Sequence, residues 1–205
     1  MGERTPAKAW QQMVRGNERF VKGEPQHPRQ DVERRTEQAL GQTPHAALFG
    51  CSDSRLSAEI IFDKGIGDLF VVRNAGQVIS DSVLGSLEYA VSVLSVPLIV
   101  VLGHDACGAV LAAIESTKPD ATPLPPHIAS ITDKIVPAVQ RVAERHDEID
   151  PLEVGREHLR DTIAELIASS EMISDAIAAG TLAVVGANYR LLEGSIHPDI
   201  HVGNL

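Results

Sequence analysis

The chain has 205 residues, 43% of them hydrophobic, so it is long enough to bury one substantial core without requiring a second domain. Its 18 basic and 28 acidic side chains leave a net charge of −10, the wrong sign for binding nucleic acid or an anionic membrane surface. No apolar run approaches the roughly 20 residues that span a bilayer, and the first residues mix charged with apolar side chains instead of forming a signal core. We therefore expect a cytoplasmic protein with a single domain over residues 1–205.

The N-terminal segment is predicted to be helical. Thr5 and Pro6 are typical of a helix cap and a first turn, and apolar residues then recur at helical spacing from Trp10 to Val21. Because this stripe covers one side only, the helix must pack against the body of the protein or a neighbouring subunit. A polar loop and another short helix are expected next, which completes an N-terminal helical arm over residues 1–40.

Three short apolar runs predict buried strands in the middle of the chain. They are His45–Gly50, Leu69–Asn74 and Pro97–Gly103, and the segment before the third has helical periodicity from Val83 to Leu94. Continuous apolar runs are typical of parallel strands that are covered on both faces. The alternation of strands and helices therefore indicates an α/β fold.

The C-terminal third begins with a Pro-rich loop at residues 119–126, which must interrupt the chain. Two helices are predicted after it, at about residues 128–145 and 153–168. A last strand is expected at Thr181–Ala187, followed by a turn near Gly194.

Two cysteines and one histidine follow predicted strands. Cys51 comes after the first strand, and His104 and Cys107 come after the third, so the three side chains should meet at the carboxyl edge of the sheet. Three protein ligands leave a fourth position open, which is typical of catalytic zinc, and thiolates with imidazole favour zinc over magnesium or calcium. The sequence therefore predicts one Zn²⁺ per chain, although free cysteines are commonly plain core residues.

The other seven histidines do not follow predicted strands in this way. They lie in predicted loops or on polar helix faces, away from the expected sheet edge, and we expect all of them on the surface. These residues are His27, His45, His127, His146, His158, His197 and His201.

Asp53 and Arg55 follow the first cysteine in what must be a tight turn. Arg55 can hold Asp53 through two hydrogen bonds, ionised beside the open metal position. An ionised carboxylate only accepts hydrogen bonds, so it selects zinc-bound hydroxide as its neighbour. As pH falls and hydroxide is protonated, Asp53 is expected to replace it as the fourth ligand. The alternative interpretation is a charge pair that only stabilises the loop.

Cys51-Ser52-Asp53-Ser54-Arg55 and Gly103-His104-Asp105-Ala106-Cys107-Gly108 resemble the two signature motifs of the β-carbonic anhydrases. Similar segments cover most of residues 42–108, the zinc-site core, whereas the C-terminal third matches loosely. The resemblance implies a four-stranded, mainly parallel sheet with an added antiparallel strand, flanked by helices. It also implies a homodimer or tetramer whose active site lies near a subunit interface.

The same resemblance assigns a substrate pocket. Gln42, Phe70 and Tyr89 match positions that line it, with Gln42 and Tyr89 able to reach across from a partner, although Phe70 and Tyr89 also suit plain packing. Some family members carry a bicarbonate inhibitory site built on a tryptophan that is here Leu48. That form of regulation is therefore not expected, although Arg73 resembles another member of the site.

The predicted activity is the reversible hydration of carbon dioxide to bicarbonate and a proton, by attack of zinc-bound hydroxide. Two thiolates offset the charge of the metal, so the nucleophile should form fully only at mildly alkaline pH. Two alternatives stay open. The same scaffold suits a hydrolase of carbon disulfide or carbonyl sulfide, and a non-catalytic zinc-stabilised module would have Asp53 permanently in the fourth position.

Overall fold

The computed structural model describes residues 4–205, which contain a five-stranded sheet with buried apolar clusters on both faces. The strands are β1 (Ala46–Cys51), β2 (Leu69–Asn74), β3 (Leu98–His104), β4 (Ala183–Tyr189) and β5 (Ile196–Val202). Their order across the sheet is β2-β1-β3-β4-β5; the first four are parallel, and β5 runs antiparallel to β4. The predicted α/β fold with an added antiparallel strand is confirmed.

The helices fill the connections and flank the sheet. They are α1 (Pro6–Lys22), α2 (Val32–Gln38), α3 (Ala58–Ile61), α4 (Asp81–Ser92), α5 (Gly108–Ser116), α6 (Pro126–Thr132), α7 (Val136–Ala143), α8 (Pro151–Ser169) and α9 (Glu171–Ala178). A short 3₁₀ turn at Ala75–Gln77 follows β2. Among residues 4–205, no helix is both long enough and apolar enough to cross a membrane.

The helix predicted at residues 128–145 is wrong as a single element, because it is divided into α6 and α7. Pro137 lies in the first turn of α7 and has no N–H to donate to the carbonyl of Asp133, so the helical hydrogen bonds cannot continue. Proline is well accommodated at the first turn of a new helix. Between the two helices the chain buries Ile135 completely.

Helix α1 packs on the body of its own chain. Thr5 caps it by accepting a hydrogen bond from the backbone of Lys8 at 3.3 Å, and Gly23 ends it with φ +71°, a left-handed conformation that favours glycine. Met13 belongs to the same buried cluster as the strands, and Asn17 donates to the carbonyl of Gly194 at 2.8 Å. Residues 1–3 of the predicted arm lie outside the described residues, and the division into arm, core and Pro-rich loop stays a prediction.

The central strands account for the position of the site. β1 and β3 are buried along their whole length, as their continuous apolar sequences require. The register pairs Gly50 with Leu102, so the chain leaves both strands at the same level of the sheet. Because the strands are parallel, the residues that follow them emerge side by side at the carboxyl edge.

Candidate metal centre

Three side chains converge at the carboxyl edge of the sheet. Cys51 ends β1, His104 ends β3, and Cys107 immediately precedes α5. The sulfur atoms of the two cysteines and a ring nitrogen of His104 all lie within 4.8 Å of one another, and the three residues are buried. Both cysteines are free thiols. The structure thus brings together the three residues that the sequence predicted as metal ligands.

The orientation of His104 suits metal binding. Its Nδ1 lies 2.8 Å from the carbonyl oxygen of Asp105, and since a carbonyl only accepts, Nδ1 carries the proton and Nε2 presents a lone pair. Nε2 is buried and has no hydrogen-bond partner among the described residues. A buried, unpaired acceptor beside two thiols is the arrangement expected of a ligand whose other nitrogen is fixed by a hydrogen bond. The donor set therefore fits Zn²⁺.

Backbone N–H groups donate to both sulfur atoms, and Cys51 is the one that ionises first. The backbone N–H of Gly76 donates to Cys51 Sγ at 3.4 Å, and two N–H groups in the first turn of α5 face the Cys107 thiol. A hydrogen bond from Cys107 lowers the pKa of Cys51 to about 4, against the opposing effect of burial. The same hydrogen bond, together with burial, raises the pKa of Cys107, which therefore keeps its proton while Cys51 is ionised. Since metals bind cysteine as thiolate, these donors prepare the pair for a cation.

Asp53 and Arg55 form a two-pronged ion pair beside the cluster. Arg55 Nε lies 2.8 Å from Asp53 Oδ1, and Arg55 Nη2 lies 2.6 Å from Asp53 Oδ2. Nη2 also donates to the carbonyl oxygen of Ala106 at 3.2 Å, which ties this pair to the loop that carries Cys107. The hydrogen bonds from Arg55 hold the pKa of Asp53 well below its usual range, so the carboxylate stays ionised.

Arg73 has a structural contact that the sequence did not reveal. Its Nε donates to the carbonyl oxygen of Cys51 at 2.9 Å, and its Nη2 donates to that of Asp53 at 2.7 Å. The side chain of Arg73 therefore fixes the backbone of Cys51 and Asp53. Leu48, at the position linked to an inhibitory tryptophan, is buried and offers no polar group. In the register of β1 and β2, Arg73 lies beside Gly50, one residue before β2 ends.

The prediction that His158 lies on the surface is wrong. It is only 2% exposed, on the inner face of α8, and its Nε2 lies 2.7 Å from the carbonyl oxygen of Gly76. The remaining six histidines of that group are exposed or half-buried, as predicted. A usable signal was present: His158 lies four residues after Val154 and four before Thr162, on the stripe that α8 buries.

The predicted substrate residues Gln42, Phe70 and Tyr89 do not lie beside the metal cluster of their own chain. The rings of Phe70 and Tyr89 contact each other with centroids 6.1 Å apart, and the side chain of Gln42 is exposed and makes no hydrogen bond within residues 4–205. Phe70 pairs with Ala47, four residues before the Cys51 level, which places it about 13 Å back along the strands at 3.3 Å per residue. The structure therefore does not bring these three residues to the metal cluster of the same chain.

The family match, the relatives and the solved structure found for this chain are all carbonic anhydrases. Residues 46–196 match the protein family described as carbonic anhydrase. Carbonic anhydrase 2 of Mycobacterium tuberculosis is 48% identical over 206 residues, and the carbonic anhydrase of Mycolicibacterium smegmatis is 44% identical over 209; each match covers 100% of this chain and 98% of the relative. A solved tetrameric beta-carbonic anhydrase from Sordaria macrospora has the same fold, with a TM-score of 0.75 at 23% identity over 96% of this chain and 100% of that chain.

Proposed function

The chain belongs to the β-carbonic anhydrase family, and we propose that it catalyses the reversible hydration of carbon dioxide to bicarbonate and a proton with one Zn²⁺ per chain. The observation that carries the proposal is the buried cluster of Cys51, His104 and Cys107, with His104 Nε2 unpaired. These three residues would hold the metal and leave its fourth position free. When bound, zinc supplies the chemistry of lowering the pKa of water, so that a nucleophile is available near neutral pH.

Asp53 and Arg55 are proposed as the catalytic pair. Ionised Asp53 can only accept a hydrogen bond, so it orients whichever donor occupies the space beside the cluster. Arg55 keeps the carboxylate turned toward itself through its planar two-donor fork. This arrangement favours an open fourth position, and it argues against the non-catalytic module in which Asp53 fills that position permanently.

We retain the proposal that Asp53 becomes the fourth ligand at low pH. It lies two residues from Cys51, and its depressed pKa, which results chiefly from the hydrogen bonds of Arg55, keeps it anionic in mild acid. The carboxylate is anionic in both arrangements, so binding to the metal and binding to Arg55 are two alternative states of one side chain. Structures at acid and alkaline pH, each with metal analysis, test this. Asp53 bound to Arg55 at both pH values would contradict it.

The substrate pocket is proposed to form between two copies of the chain. Phe70 and Tyr89 provide apolar ring surface for carbon dioxide, and Gln42 provides an amide donor, but all three lie away from the cluster of their own chain. A second copy that approaches the cluster can supply them. The proposal is therefore a homodimer or tetramer, and the free thiols of Cys51 and Cys107 suit the reducing cytoplasm.

The deciding experiment is an assay of carbon dioxide hydration together with metal analysis. We expect one zinc per chain and hydration that increases from mildly acid to mildly alkaline pH. Cys51→Ser should lose zinc and activity together, because it removes one of three ligands. Turnover of carbon disulfide or carbonyl sulfide without hydration of carbon dioxide would favour the related hydrolase. Full zinc without any turnover would favour the non-catalytic module.

A further inference from the structure

The buried His158 on α8 contacts the chain on the far side of the metal centre. Its Nε2 donates to the carbonyl oxygen of Gly76 at 2.7 Å, since a carbonyl cannot donate. One helical turn later, the Thr162 hydroxyl lies 3.3 Å from the carbonyl oxygen of Gln77 and 2.9 Å from that of His158. His158 thus holds one carbonyl group of the Ala75–Gln77 turn, and the single hydroxyl hydrogen of Thr162 is shared between the next carbonyl of the turn and that of His158 in its own helix.

The other side of the same turn faces a predicted metal ligand. The N–H of Gly76 donates to Cys51 Sγ at 3.4 Å, while the carbonyl of Gly76 accepts from His158. The direction of this N–H depends on the orientation of the turn. Because amide donors to a thiolate stabilise its negative charge, the turn influences how strongly Cys51 binds a cation.

The turn needs contacts from outside to keep its shape. Gly76 has φ +73°, and Gln77 has φ +42°, a left-handed conformation that residues other than glycine rarely adopt. A Cβ atom on Gly76 would lie 2.8 Å from the Cβ of Ala109, so the turn is pressed against the first turn of α5. It is therefore held between α5, which begins beside Cys107, and the two polar side chains of α8.

Packing alone does not explain a histidine at this place. Burial lowers the pKa of His158, so its imidazole is neutral, and its Nδ1 has no hydrogen-bond partner among the described residues. An unpaired buried nitrogen is unfavourable, and an apolar side chain of similar size would fill the same space without it. What the histidine provides, and an apolar residue would not, is the hydrogen bond to Gly76.

We propose that His158 and Thr162 are positioning residues for the metal centre, which fix the Ala75–Gln77 turn so that the Gly76 N–H points at Cys51 Sγ. The inference rests on the proposed function, since it takes Cys51 to be a zinc ligand. It adds that the affinity of the centre for zinc depends on a helix that provides none of the three ligands.

The test is the zinc dissociation constant of the full-length protein, measured by competition with a chelator. His158→Leu and Thr162→Val should each weaken zinc binding, His158→Leu by about tenfold, the lower end of the range for groups outside the first ligand shell. His158→Gln should restore near wild-type affinity, because its amide nitrogen is three bonds from Cβ, as Nε2 is. In His158→Asn the nitrogen is one bond shorter and should fail to restore affinity.

A second readout separates positioning from general stability. In cobalt-substituted protein, the wavelength of the thiolate-to-cobalt absorption should differ from wild type in His158→Leu. In His158→Gln it should return to the wild-type wavelength. The control is Leu166→Ala, a buried change on α8 that removes no hydrogen bond to the turn and should leave zinc affinity and the cobalt spectrum unchanged even though it destabilises the fold. Equal zinc affinity in wild type, His158→Leu and Thr162→Val overturns this inference and leaves the proposed function in place. A wild-type protein that binds no zinc overturns the proposed function with it.

Discussion

At the scale of single residues, the geometry of the ion pair between Asp53 and Arg55 matters more than its charge. Arg55 meets both carboxylate oxygens and the Ala106 carbonyl, which requires donors on more than one nitrogen. An ammonium group is a point charge and cannot reproduce this fork. Arg55→Lys should therefore lower turnover about tenfold to a hundredfold, as for other partners of a metal centre, while zinc content stays near normal. Stopped-flow hydration and metal analysis measure the two effects.

A matched control for this variant is Arg141→Lys. Arg141 also forms paired contacts with carboxylates, those of Glu157 and Asp161, but it lies on α7 and touches no residue of the metal centre. Its replacement should leave turnover unchanged. Wild-type turnover in Arg55→Lys would mean that the pair only stabilises the loop, as the alternative interpretation holds.

The placement of the three candidate ligands could be predicted from the sequence, because strand ends in a parallel sheet meet at one edge. Cys51 and His104 end β1 and β3, which are separated in sequence by β2 and the helices α3 and α4, yet the two strands are neighbours in the sheet. The contacts of Arg73 and His158 could not be derived in the same way. Both side chains act on backbone carbonyls, which carry no sequence signal, and the spacing of His158 from Val154 and Thr162 indicates only that it shares their helix face, not which carbonyl it meets.

At the scale of elements, the docking of α1 depends on a close backbone approach. A Cβ atom on Gly16 would lie 1.8 Å from the carbonyl oxygen of Phe62, so Gly16→Ala must push α1 away from α3. Overpacking of this kind typically costs about 1–3 kcal/mol of unfolding free energy. Denaturant unfolding of the purified variant measures the loss.

Gly155→Ala is the opposite case and serves as the control. Gly155 lies inside α8, and a Cβ atom there meets nothing within 4 Å. Replacing a helical glycine by alanine should raise the unfolding free energy by about 0.5–1 kcal/mol. Equal effects of the two substitutions would show that the contact between Gly16 and Phe62 does not limit the packing of α1.

The loop before β2 provides a pH-dependent contribution to stability. Asp68 is completely buried, and burial alone would raise its pKa, but hydrogen bonds from Arg29 and the Gly65 N–H outweigh burial and lower the pKa from 3.8. A carboxyl group with a lowered pKa stabilises the fold above its unfolded pKa and ceases to do so as pH falls through its folded pKa. Asp68→Asn should cost about 2–4 kcal/mol at pH 7.

Unfolding of wild type and Asp68→Asn across a pH series checks the sign of this effect. The difference between them should be largest at neutral pH and should shrink as the solution is acidified below the unfolded pKa of about 4 for aspartate. A difference that grows in acid would mean that Asp68 is protonated in the folded protein, in contradiction to its ion pair with Arg29.

The order of strands and helices was also largely predictable, because periodicity and apolar runs are local signals. Apolar periodicity alone does not indicate the division of residues 128–145, because the pattern continues through Pro137, whose missing N–H ends the helical hydrogen bonds. β5 has no continuous apolar run, because apolar and polar residues are mixed from Ile196 to Val202. Only the family resemblance implies the antiparallel addition.

At the scale of the whole molecule, the proposed shared pocket predicts that the active protein contains at least two copies of the chain. Tyr89 is 45% exposed on α4 and Val93, one turn later, is 60% exposed, so an apolar face near Phe70 is uncovered in the single chain. We expect sedimentation of the active protein to give at least twice the chain mass of 22.0 kDa. An active monomer at micromolar concentration would contradict this expectation.

A mixing experiment tests whether the pocket is shared between subunits. Arg55→Lys impairs the metal side of a site, and Tyr89→Ala impairs the pocket side, so each homodimer should have two defective sites. If Tyr89 acts across the interface, a mixed dimer combines Arg55 and the metal of one chain with Tyr89 of the other and regains one intact site of two. Random exchange of equal amounts should then restore about a quarter of the wild-type sites, as expected for a two-fold symmetric dimer. If Tyr89 serves its own chain, mixing adds no activity beyond the mean of the two variants.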